Sequence, residues 1–111
     1  MAARELAVDN LPDYGHVCFH SQQCVEKLIK GALILHDIVP PYIHDLARLG
    51  RMLNSVEPAW SWDEIQLLDL TDSATDDRYP GGTATRGEAR EMFDLCTRLR
   101  ESLLELLPPQ N

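Results

Sequence analysis

Residues 16–30 read HVCFHSQQCVEKLIK, a run that places two histidines, two glutamines and two lysines at helical spacings. At about 100° per residue, His16, His20, Gln23, Lys27 and Lys30 fall within a stripe of roughly 80° on one side of a helix. All five side chains can donate a hydrogen bond and two carry a full positive charge, so the stripe suits an anion such as a phosphate. Three other readings fit the same spacing. Solvated surface is the one that spacing alone favours, with Glu26 supporting Lys30 at i,i+4 for about 0.2–0.5 kcal/mol. A subunit interface is the second, with Phe19 and Ile34 bordering the strip and a second copy across a two-fold axis. A groove between two copies can itself hold a ligand. The third is a zinc site, in which His16 and His20 share the ion with His36 or His44. The chain has no HExxH, no repeated carboxylate–histidine pair and no cysteine cluster, so neither a metal nor a cofactor is assigned.

These side chains need helices to position them. Val17, Cys24, Val25, Leu28, Ala32 and Leu35 lie on the opposite side of the same helix and form its expected core face, with Cys18 and Ile29 at the edge. Proline and glycine punctuate the chain at Pro12, Pro40-Pro41, Pro58, Pro80-Gly81-Gly82 and Pro108-Pro109. Between them the pattern predicts helices over 2–9, 13–37, 44–55, 62–76 and 85–107, with no alternating strand pattern in competition. The expected fold is all-α, an up-and-down four-helix bundle with short extra helical segments, in one domain spanning 1–111. The segment 2–9 makes only about two turns, so it must dock on the bundle or belong to a longer first helix. Ser61 with Glu64, and Thr85 with Glu88, read as capping boxes. In the last helix Ala89, Met92, Cys96, Leu99, Leu103 and Leu106 make a core seam, while Glu91, Asp94, Arg98, Glu101 and Glu105 face water. Trp60 and Trp62 are expected to close the end of the bundle by packing.

Composition narrows the function. Of 111 residues 44% are apolar, enough for one core, and ten basic against eighteen acidic residues give a formal charge of −8. That charge repels nucleic acid and anionic membrane at long range, so an anionic ligand needs a local positive pocket. The three cysteines are odd in number and lack CxxC spacing. They suit a reducing cytoplasm, where the protein is expected to reside. No apolar run approaches the roughly 18 residues of a membrane span, and no signal peptide is evident. The common phosphate-loop, dinucleotide and hydrolase signatures are absent.

The run FHSQQCVEKLIKGALI, followed by PPYIHDLARL and later by DDRYPGG, resembles the HEPN domain, the higher eukaryote and prokaryote nucleotide-binding domain. Members of that family carry a phenylalanine, a QQ-A-x-EK-x-x-K helix, a His-Asp-Leu helix start and an Arg-Tyr-Pro turn. The three matches occur in the family's order and cover residues 17–107, with Cys24 in place of the usual alanine. The resemblance implies a bundle of four main helices, commonly a homodimer, with a nucleotide as ligand. Many members begin with a longer first helix. Gln23, Glu26, Lys27 and Lys30 take the motif positions on the long helix, His44 and Asp45 those of the next, and Arg78, Tyr79 and Pro80 those of the turn. The expected nucleotide site is therefore Gln23, Lys27, Lys30, His44, Arg78 and Tyr79. Lys27, Lys30 and Arg78 would hold phosphate, Tyr79 would stack on a base, and His44 would add a donor near a helix start. The glycines of RYPGG need no ligand, because a helix stop accounts for them.

The resemblance also implies a partner, since family members are often paired with a separately encoded minimal nucleotidyltransferase, in some cases as the toxin of a toxin–antitoxin couple. Ribonuclease members of the wider superfamily carry an arginine followed after four to six residues by a histidine. This chain has no such pair, because all four histidines precede Arg48 and Arg4 is too far from His16. No catalytic residue is assigned. RNA is a ligand only under the ribonuclease alternative, which would need Arg78 and His44 to meet across the bundle. A purely structural dimerisation module is the remaining alternative.

Overall fold

The computed structural model describes residues 14–75 and 84–108, and it is all-helical there. Four helices pack against one another: α1 (Tyr14–Leu35), α2 (Leu46–Val56), α3 (Glu64–Ser73) and α4 (Arg86–Leu104). The expected helix over 2–9 and the Arg78-Tyr79-Pro80 turn lie outside the described residues.

In α1 the buried positions are Val17, Cys18, Ser21, Gln22, Val25, Glu26, Ile29, Ala32 and Leu33, which recur every three to four residues. This stripe is rotated from the expected core face. Val25, Cys18 and Ile29 sit at its centre, Cys24 and Leu28 are only partly buried, and Leu35 is 51% exposed. Leu35 comes out because the helix is ending there. Asp37 adopts a left-handed conformation (φ 61°), its amide donates to the Ile34 carbonyl (2.9 Å), and the Ile38 amide donates to the Leu33 carbonyl (3.0 Å). This pair of bonds is the Schellman stop, here built on aspartate rather than glycine. Pro40 and Pro41 then prevent the helix from resuming.

The loop 36–45 folds back along α1. His44 comes to rest beside Gln22 and Glu26 in the middle of that helix, while Glu57, just past α2, meets His36 just past α1. The loop rather than a helix thus makes the return stroke, and α2 lies along the second half of α1. Asp45 caps α2 by accepting from the Ala47 and Arg48 amides (2.9 and 3.2 Å). The Leu46 amide, which has no partner within its helix, donates to Thr71 Oγ1 (3.0 Å) and ties α2 to the far end of α3.

α3 runs antiparallel to α2, since Leu46 meets Thr71 and Gly50 meets Leu67. A β-carbon at Gly50 would stand 2.9 Å from Leu67 Cδ1, so glycine is what allows the close approach. The cap of α3 is not the expected Ser61–Glu64 box. Asp63 is the N-cap and accepts from the Ile65 amide (2.9 Å). Aspartate caps as well as serine and here directly precedes the first helical turn, which leaves Ser61 outside the helix. The Thr85–Glu88 box forms as read: Thr85 Oγ1 accepts from the Glu88 amide (3.2 Å), and Glu88 Oε1 accepts from the Thr85 amide (2.6 Å).

The seam of α4 is buried through Ala89, Met92, Cys96, Leu99 and Leu103, joined by Leu95, and it packs chiefly on α1. Each such leucine contributes about 1.5–3 kcal/mol by leaving water. Trp60 is buried at the end of the bundle and its indole N–H donates to Ser102 Oγ (3.1 Å); Trp62 is half-buried and donates to Gln66 Oε1 (2.8 Å). Both tryptophans therefore pack as expected, with their single polar atoms satisfied.

Candidate functional site

Gln22, Glu26 and Lys30 succeed one another at i, i+4 and i+8, so they form one line along α1. The folded-back loop covers this line, and the Glu26 side chain is only 7% exposed. A carboxylate so enclosed must have each oxygen satisfied. Glu26 Oε1 accepts from Gln22 Nε2 (3.0 Å) and from His44 Nδ1 (2.9 Å), and Oε2 accepts from Lys30 Nζ (3.0 Å). Burial by itself pushes the Glu26 carboxyl up. The hydrogen bonds from Gln22, His44 and Lys30, together with the Lys30 charge, outweigh it and hold the group below its ordinary value of 4.5. The Glu26–Lys30 pair is consequently not the weak surface pair read from its spacing.

The network continues outward. Gln22 Nε2 also donates to the His44 carbonyl (2.9 Å), and Gln23 Nε2 donates to Gln22 Oε1 (2.8 Å). Tyr42 is 93% exposed, with the His44 ring edge-on to it (centroids 5.9 Å) and Lys30 Nζ 5.9 Å from its centre. The His44 side chain is 62% exposed although its Nδ1 edge is engaged. Its Nε2 edge has no hydrogen-bond partner among the described residues. The result is a shallow surface on which an aromatic ring, an ammonium, an amide and an imidazole stand together over one buried carboxylate.

Of the six residues assigned to the site from sequence, the fold joins Gln23, Lys30 and His44 through Gln22 and Glu26. Lys27 is exposed and lies toward α4, where it acts on Cys24. That thiol is lowered to about 6 by a hydrogen bond from Cys96, against burial and with help from the Arg100 and Lys27 charges. On a helix Lys27 stands about 60° from Lys30. Arg78 and Tyr79 lie outside the described residues. Three members of the site were not assigned from sequence. Gln22 and Glu26 had a legible signal, the glutamine–glutamate–lysine line at i, i+4, i+8; Tyr42 had none, because only the return of the loop brings it to Lys30.

The zinc reading loses its third ligand. The His16 and His20 rings are 6.3 Å apart, but His36 pairs with Glu57 (3.0 Å) and His44 with Glu26. No group of three metal-ligating side chains occurs among the described residues. A cleft of about 340 Å³ between α2, α3 and the loop before α3 is lined by Trp60, Trp62, Arg51, Asn54 and Glu64. Most of its polar groups are already engaged: Arg51 with Glu64, Asn54 with the Trp60 carbonyl (2.7 Å) and Trp62 with Gln66. It holds none of the sequence-assigned residues. No described helix is long and apolar enough to cross a membrane.

No curated protein and no solved structure is significantly similar to the chain. The family model described as HEPN domain matches residues 2–106, nearly the whole sequence and every element of the site above. The chain belongs to the HEPN domain family.

Proposed function

We propose that this HEPN domain is a nucleotide-binding module whose ligand lies on the surface made by Gln23, Lys30, Tyr42 and His44, with Lys27 at its border and with Arg78 and Tyr79 as further binding residues. One observation carries the reading. The exposed Tyr42 ring stands beside both Lys30 and His44, with a buried carboxylate holding both of those residues in place. A base stacks on an exposed aromatic ring, and an ammonium that uses one of its three donors on Glu26 keeps two for phosphate oxygens. Lys30, still partly exposed above the buried Glu26, is the cation this surface offers in a molecule of net charge −8. The domain acts as a homodimer in the cytoplasm, together with a separately encoded minimal nucleotidyltransferase.

The test is thermal unfolding with and without each common nucleotide, because a ligand that prefers the folded state raises the melting temperature. A saturating nucleotide is expected to raise it, and Tyr42→Ala, Lys27→Ala and Arg78→Ala each to reduce the rise. Absence of a shift with every nucleotide rejects the reading.

The ribonuclease alternative keeps one specific support. A carboxylate oriented on Nδ1 with Nε2 facing outward is the arrangement of a general base. It predicts RNA cleavage abolished by His44→Ala; RNA left intact at high protein concentration rejects it.

A further inference from the structure

Resting on the nucleotide-binding reading, we infer that His44 offers a ligand a lone pair rather than a proton, and so selects a ribose hydroxyl: the site takes ribonucleotides in preference to deoxyribonucleotides. Glu26 dictates this. An ionised carboxylate can only accept, and it lies 2.9 Å from His44 Nδ1, so in the neutral imidazole the proton sits on Nδ1 and Nε2 is left as the acceptor. Glu26 stays ionised because Gln22 and Lys30 donate to it as well. Gln22 Nε2 also holds the His44 carbonyl (2.9 Å), which fixes the backbone from which the ring reaches Glu26, and Tyr42 flanks the ring.

The consequence differs from what the residue type alone implies. With a proton on Nε2, His44 would be one more phosphate donor. With a lone pair there, it is repelled by phosphate oxygens and satisfied by an O–H. Covalent connectivity permits this: a nucleotide carries its sugar next to its base, and the imidazole lies beside the stacking ring (centroids 5.9 Å), as does the Lys30 ammonium (5.9 Å) left for the phosphate. The groups facing the imidazole are then Glu26 and Lys30 from α1 and Tyr42 from the loop.

Calorimetric titration of the full chain with ATP, 2′-deoxy-ATP and 3′-deoxy-ATP, repeated for the guanine series, tests this. The ribonucleotide is expected to bind about five-fold more tightly than at least one deoxy form, the value of one net hydrogen bond. His44→Ala is expected to abolish that difference between ribo and deoxy forms, whatever it does to the affinity for either one. Equal affinities of ribo and deoxy forms for the wild-type chain would overturn the inference and leave nucleotide binding standing. A preference that survives His44→Ala would overturn the assignment to His44, and absence of binding by every nucleotide would overturn both readings.

Discussion

Glu26 is the residue on which the site turns, and its chemistry makes it testable alone. Its carboxyl is held below the ordinary value because three donors outweigh the cost of burial. A group whose native value is depressed adds stability that is complete above its unfolded value and is lost as pH falls through the native one. Glu26→Gln is therefore expected to destabilise the fold by about 1–3 kcal/mol at neutral pH, since Lys30 and His44 lose an ionised acceptor. The deficit relative to wild type is expected to shrink as pH falls below 4.5, the ordinary value of the group. Urea unfolding of both chains across acid pH measures this, and a constant gap would show that Glu26 matters through packing alone. The line Gln22–Glu26–Lys30 was legible as a spacing, but its burial was not. A helical wheel places a charged residue only relative to its own helix, and what covers it is supplied by residues 18 or more positions away.

Among the elements, ends were read less well than middles. Thr85 and Glu88 formed their box because both halves of the signal lie within one turn and nothing competes. Ser61 and Glu64 share that spacing but lost to Asp63, an equally good cap nearer the first turn. The end of α1 had no glycine to announce it, and the left-handed position fell to Asp37. A non-glycine residue pays a steric cost there, and a carboxylate opposes the negative end of the helix dipole. Asp37→Gly is expected to stabilise the protein by about 0.5–1 kcal/mol, read as a rise in melting temperature. An unchanged or lowered value would mean that the side chain of Asp37 makes up its own backbone cost.

For the molecule as a whole, a charge of −8 on 111 residues is a standing self-repulsion that the folded state concentrates. Raising ionic strength from ~0.01 M to ~0.15 M shortens the screening length from about 30 Å to about 8 Å. The melting temperature is expected to rise over that interval. A fall would show that local pairs such as Lys30–Glu26, His36–Glu57 and Arg51–Glu64 outweigh the global repulsion. The same charge explains why the cationic side chains matter only where the fold gathers them.

Helix content, the α4 seam, the Thr85 cap and the family were all legible in the linear chain, because each depends on residues within a turn or two or on a motif in fixed order. Three matters waited for packing: which side of α1 is buried, the enclosure of the Glu26–Lys30 pair, and which edge of His44 faces outward. All three follow from one non-local event, the return of the loop 36–45 over the middle of α1. Hydrogen bonds spanning 18 and 22 residues make that return, and no local period encodes them. Their strength comes from the exclusion of water around Glu26, which exists only once the chain has closed over it.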